Sequence, residues 1–116
     1  MSEHLTERTE SELGRERLAR HELLFEDGRT RITQWTFAPG DRTGWHRHEW
    51  DYVTVQQSAG ALLLEGADGS AKRVDYAPGR TLAWTAPIEH NATNVSDVEV
   101  RVLEIEYKRR ETPEKS

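Results

Sequence analysis

His46 and His48 are separated by one residue, Arg47, and the segment 51–55 just beyond them, Asp-Tyr-Val-Thr-Val, is β-branched and aromatic. In an extended strand, residues i and i+2 point to the same face. Their Cβ atoms then sit roughly 6–7 Å apart, twice the rise per residue. Two imidazoles at that spacing can lean toward one cation, and neutral imidazole binds several divalent metals well. On a helix the same pair would diverge, because i and i+2 do not face each other there. The pair therefore predicts a metal site on a strand. Two ligands leave a site incomplete, so a third is expected from another strand. His90, in the segment Pro87-Ile88-Glu89-His90-Asn91-Ala92-Thr93-Asn94, is the candidate. The two remaining histidines are His4, in a polar stretch, and His21, in the first strand region.

The elements that must position these rings read as short strands between turn signals. Residues 18–25 are apolar-rich and run into Asp27-Gly28, a strong hairpin pair. Segments 31–37, 51–57, 61–65, 71–76, 81–84 and 98–107 follow, punctuated by Pro39-Gly40, Gly60, Asp68-Gly69 and Pro78-Gly79. In the last segment the apolar phase slips between Val102 and Leu103, which predicts a bulge or burial on both faces. Strands with turns every 8–12 residues mean an all-β sandwich or barrel, and no long helical pattern interrupts them. The fold class expected from this pattern is all-β, a sandwich or barrel, the double-sheet jelly roll of two antiparallel sheets being one of the standard ways such strands close.

Charge and composition narrow the function. Charged residues are 32% of the 116-residue chain, but they crowd the ends. Segments 1–16 and 108–116 read as polar tails, with a short helix possible over 11–19, leaving one domain over 17–107. The net charge is −5 and the only basic cluster is Lys108-Arg109-Arg110, so no nucleic-acid partner is expected. With no cysteine, disulfides and thiolate ligands are excluded. No apolar run reaches the roughly 18 residues of a membrane helix and no secretory h-region is read, so no membrane partner and a cytoplasmic location are expected. Neither a phosphate-cradling glycine loop nor a serine nucleophile elbow occurs.

At this point the chain resembles the cupin superfamily over roughly residues 30–107. The first cupin motif is glycine, five residues, His-x-His, three or four residues, Glu, six residues and glycine. Here Gly40 precedes residues 41–45, His46 and His48, and Gly60 closes the motif, with Val53 where Glu is usual. The second motif runs from Gly79 through Thr85, Pro87 and His90 to Asn94 with the spacing kept, Thr85 and Pro87 replacing the usual Pro and Gly. The run 44–53 is similar to a group of small single-domain bacterial cupins, some of them associated with β-alanine degradation. The resemblance implies a double-stranded β-helix and a metal held by His46, His48 and His90. It implies Fe²⁺ by analogy with three-histidine dioxygenases of the superfamily, with Ni²⁺, Mn²⁺ or Zn²⁺ open. It also implies a homodimer.

Val53 leaves the fourth ligand unassigned. Asp51 shares its strand parity and is one substitute; Gln56 has the opposite parity. Glu49 and Asp51 are the candidate catalytic groups. Asn94 and Glu49 could orient imidazoles, or Asn94 could cap a turn. Trp45, Trp50, Tyr52 and Trp84 lie near the histidines in sequence and are the candidate substrate pocket, with barrel core or dimer interface as their other role. Arg47, between the two ligands, is expected to point away. Two functions stay open: an enzyme, dioxygenase-like, acting on a small catabolic metabolite, or a small-ligand binding or sensor module without turnover.

Overall fold

A computed structural model describes residues 17–108. Nine strands follow one another: β1 (Arg20–Glu26), β2 (Thr30–Phe37), β3 (His46–His48), β4 (Asp51–Gln56), β5 (Gly60–Gly66), β6 (Ala71–Tyr76), β7 (Thr81–Trp84), β8 (Ile88–Asn94) and β9 (Val100–Tyr107). They form a five-stranded sheet in the order β1-β2-β9-β4-β7 and a four-stranded sheet in the order β3-β8-β5-β6. Every strand pair is antiparallel. The described residues contain no helix, and so none long and apolar enough to cross a membrane. The first sixteen residues, most of the possible 11–19 helix, and residues 109–116 lie outside the described residues. Lys108, expected to open the second tail, is instead tied to the β1–β2 turn through its amide to the Arg29 carbonyl (2.8 Å) and its ammonium to Glu26 (2.7 Å).

Alternation decides which side chains meet between the sheets. On β2, Thr33, Trp35 and Phe37 face inward; on β9, Val100, Val102, Glu104 and Glu106 do; on β4, Tyr52, Thr54 and Gln56 do. Phe37, Leu62, Ala92, Val100 and Val102 make the apolar core. The phase slip at Val102–Leu103 is not a bulge, since β9 keeps an unbroken register with both β2 and β4. Both faces are partly buried instead: Leu103 and Ile105 are half-buried on the outer face, and the inward row continues with carboxylates. The bulge lies in β1, between Leu23 and Phe25. That strand, read as apolar, is exposed along its whole length.

The strand 88–94 was not legible as one, because Glu89, His90, Asn91 and Asn94 look like turn chemistry. It nevertheless pairs on both sides, with β3 and with β5.

One turn depends on a missing side chain. Gly60 opens β5 at φ +122°, a region L-residues rarely adopt, and a Cβ there would lie 2.5 Å from Val100 Cγ2. Val100 is fully buried and cannot yield. Gly60→Ala is expected to lower stability by about 1–3 kcal/mol, read as an earlier urea midpoint with an unchanged slope; an unshifted midpoint would contradict it.

Candidate metal centre

The ladder between β3 and β8 builds the centre. Its register sets His46 directly opposite His90 and His48 opposite Ile88. His46 and His48 share the inward face by the period of two, and His90 joins them from across the ladder. Ring centroids are 4.7 Å apart for His46–His48, 4.7 Å for His46–His90 and 5.1 Å for His48–His90. One nitrogen of each ring lies within 4.8 Å of the others. The register is pinned by the preceding loop, residues 38–45. Thr43 N donates to Ala92 O (2.9 Å), Gly40 N to Asn94 O (3.0 Å), and Gly44 N to Asn91 Oδ1 (2.9 Å).

Tautomers follow from partners. His46 Nδ1 lies 2.9 Å from the Gly44 carbonyl, which can only accept, so the proton sits on Nδ1 and Nε2 carries a lone pair. That Nε2 is 3.0 Å from His48 Nε2. Burial, more than any neighbouring charge, holds the His46 imidazole below its ordinary pKa. Burial first, then the rings of His46 and His48, push His90 down to about 4. The donor set thus fits a divalent metal: three imidazoles from two strands, each with a ring nitrogen within 4.8 Å of the others.

In the metal-free protein the depressed His90 value makes stability depend on pH. The unfolded chain takes up this proton near the ordinary value of about 6.5, the folded chain only near 4. Between those values the unfolded state binds more protons, so stability is full above the upper value and is lost as pH falls toward the lower one. The His90 ring resonance in a proton NMR titration is expected to move with a midpoint near 4; a midpoint at the ordinary imidazole value would refute the neutral assignment.

Two carboxylates face the cluster from the opposite sheet. Glu106 Oε2 lies 3.5 Å from His48 Nδ1, and Glu104 Oε2 lies 3.6 Å from His48 Nε2. Glu104 Oε1 accepts from Trp35 Nε1 at 3.2 Å. Burial first, with the charge of Glu106 adding to it, raises the Glu104 carboxyl above the usual range, against the lowering pull of His48 and the Trp35 N–H. Neither glutamate was singled out from the sequence. The signal was the strict alternation Val100, Val102, Glu104, Glu106, in which the inward row changes from apolar to acidic at the depth of the histidines.

The other expected site residues divide. Tyr52 stacks on His48 (centroids 4.1 Å apart, 26° between planes) and Trp84 lies parallel to Tyr52 at 6.1 Å. Both line a cavity of about 50 Å³ beside His46 and His90. Trp45 and Trp50 do not line it. Trp45 is 58% exposed, because it has the parity of Arg47 and points away with it. Trp50 lies under the Arg31 guanidinium, 4.8 Å from its ring centre. Trp35, Phe37 and Tyr76, not expected from the sequence, supply aromatic lining in their place. Glu49 is exposed and pairs with Arg47 at 2.8 Å. Asp51 is exposed and accepts from Ala86 N at 2.8 Å, so neither it nor Glu49 reaches the centre. Val53 faces outward opposite Ile105 and Ala83, and Tyr52 takes the inward place. Gln56 faces inward but bonds Ala77 N at the far end of β4. Asn94 caps a turn, donating to Phe37 O and Val98 O, and does not touch an imidazole.

The centre has two approaches. The apolar cavity touches His46, His90 and Glu104. An open groove, between β1 and β3, touches His46, His48, Glu104 and Glu106 and is walled by His21, Arg31 and Arg47.

A scan against protein-family models finds no match. The chain is 43% identical over 77 residues to the β-alanine degradation protein BauB of Pseudomonas aeruginosa, an alignment that covers 66% of this chain and 80% of that protein. The crystal structure of a cupin domain from Bordetella pertussis Tohama I superposes with a TM-score of 0.75 at 38% identity, over 79% of this chain and 95% of that one. Oxalate oxidase, in complex with the substrate analogue glycolate, shares the fold alone: TM-score 0.64 at 15% identity, over 83% of this chain and 54% of that one. With its two antiparallel sheets, its His-x-His strand and this level of identity, the chain belongs to the cupin family.

Proposed function

We propose that this protein is a mononuclear metal-binding cupin that acts on a small catabolic metabolite, with His46, His48 and His90 as ligands. The observation that carries the reading is the meeting of three imidazoles from the β3–β8 ladder at the edge of an apolar cavity. A divalent metal held there supplies Lewis-acid or dioxygen-activating chemistry. Fe²⁺ is our assignment by analogy with three-histidine cupins, and nitrogen ligands also accept Ni²⁺, Mn²⁺ and Zn²⁺.

The chain's own residues do the positioning. Gly44 O holds the His46 tautomer, and Tyr52 braces one face of His48. Trp84, Leu82 and Val102 exclude water from the cavity. A space of about 50 Å³ admits only a small apolar end of a substrate. The groove, lined by Arg31 and by Glu26, Glu104 and Glu106, is the open side from which a substrate reaches the histidines. The name of the Pseudomonas relative links that protein to β-alanine degradation, and it supports a small catabolic substrate here.

The test is metal analysis of the protein purified without chelator under anaerobic conditions. About one redox-active ion per chain supports the enzyme reading. A metal-free protein that carries a copurified organic molecule overturns it in favour of a binding or sensor module. That second reading draws support from the solvent-facing positions of Glu49 and Asp51, which remove both candidate acid–base groups. We further propose a homodimer. Leu23, Leu24 and Phe25 are about half exposed on β1, which has one partner strand among the described residues. Such an edge calls for cover, and sedimentation equilibrium would expose a monomer.

A further inference from the structure

The described donors leave one question: where a fourth protein ligand would come from, since Val53 points out of the barrel. Glu104 sits on the inward face of β9, between Thr33 of β2 and Thr54 of β4. It lines both the apolar cavity and the open groove, as His46 does. Its two oxygens differ. Oε1 is occupied by the Trp35 N–H. Oε2 has no hydrogen bond among the described residues and points at His48 Nε2 from 3.6 Å, too far for a hydrogen bond. That nitrogen is the one that faces His46 Nε2 at 3.0 Å, so Oε2 stands beside the His48 donor, in a 4.8 Å group with His48 and Glu106 that adjoins the three-histidine group through that ring.

Glu106 is placed differently. It approaches the other nitrogen of His48, Nδ1, and lies 3.8 Å from the Arg31 guanidinium, which already pairs with Glu26. Its position suits a partner that holds the ring, as carboxylates commonly do for metal-bound histidines. Glu104 forms no ion pair with an Arg or Lys among the described residues, and Arg31 acts on it only from a distance. A carboxylate buried without one is costly, and a divalent ion among the three imidazoles would provide the missing charge.

We propose that Glu104, through Oε2, is the fourth protein donor of the centre, reaching it from β9 in place of a glutamate on β4. This rests on the three-histidine reading, and the experiment separates the two. Full-length wild type and the variants Glu104→Gln, Glu106→Gln and His90→Ala are titrated with Co²⁺, and both affinity and the visible ligand-field bands are recorded. Glu104→Gln is expected to weaken Co²⁺ by at least about tenfold, a loss at the scale reported for ligand-supporting groups or larger, and to shift the bands. Glu106→Gln is expected to leave the bands in place. Unshifted bands in Glu104→Gln, whatever its affinity, overturn the proposal, because a group acting only through His48 would not change the ligand set. If His90→Ala also binds Co²⁺ like wild type, the three-histidine reading itself fails; if His90→Ala loses Co²⁺ while Glu104→Gln does not change, only the role of Glu104 does. Should Glu104→Gln not fold, a Co²⁺-loaded crystal of the unaltered chain decides: a metal–Oε2 distance of about 2.0–2.2 Å supports the proposal, and one beyond about 3 Å refutes it.

Discussion

His90→Ala is expected to lower metal affinity by more than about 100-fold, beyond the 10–100-fold typical of losing a group that merely supports a ligand. The reason is geometric. His90 is the single donor that β8 contributes, and it stands directly opposite His46. Without it, the two remaining rings come from one three-residue strand and cannot surround an ion. The ring is only half-buried, so its removal should leave the metal-free fold intact. Two readouts check this together. Added Ni²⁺ should raise the melting temperature of wild type by mass action, and should not move that of the variant. Inductively coupled plasma analysis should find the ion in wild type alone. The substitutions Glu49→Ala and Asp51→Ala serve as controls and should bind metal as wild type does, since both side chains face solvent. A His90→Ala protein that keeps its metal would remove the basis for the proposed function.

The second large effect concerns stability. Asn94 is 1% exposed and uses both ends of its side chain. Nδ2 donates to Phe37 O (3.1 Å) and Val98 O (2.8 Å); Oδ1 accepts from Ser96 N (2.9 Å) and Ser96 Oγ (2.7 Å). It therefore joins the end of β2, the end of β8 and the turn into β9. Asn94→Ala leaves the Phe37 carbonyl and the Ser96 amide without their partners in a buried place, and each orphaned group costs about 1–3 kcal/mol. The expected loss is about 2–4 kcal/mol, measured by urea unfolding. Metal affinity of the folded fraction should not change, because Asn94 touches no ligand. A loss within the range of an ordinary surface change would show that the network is not what closes the barrel at this end.

What could be read from the sequence depended on whether periodicity and chemistry agreed. The β4 and β5 segments announced themselves because their β-branched and leucine-rich runs match a half-buried surface. The His-x-His pair was legible for the same reason, as an alternation that needs a strand. β8 was hidden because its sequence is polar; it lies between β3 and β5, and its asparagines bond to loops where solvent would otherwise serve. Glu104 and Glu106 were hidden by a similar conflict. Acidic residues in a strand suggest a solvent face, yet parity with Val100 and Val102 places them inside. Val53 was misplaced by counting, since the chain turns between β3 and β4 and a one-residue difference sends a side chain to the opposite face. Trp45 and Trp50 show that nearness in sequence to a ligand is a weak guide to a shared cavity.

The loop 38–45 carries a consequence for how this protein can vary. β3 is an edge strand whose one ladder partner is β8, and its three residues cannot hold their own alignment. The anchoring comes from upstream, at Gly40, Thr43 and Gly44. Inserting or deleting a single residue between Gly44 and His46 would turn both rings toward solvent and bring Arg47 inward, while the remaining eight strands kept their ladders. Across descendants of this chain, length in that loop should be far less free than residue identity, and a drift in length would yield a well-folded barrel with no chemistry in it.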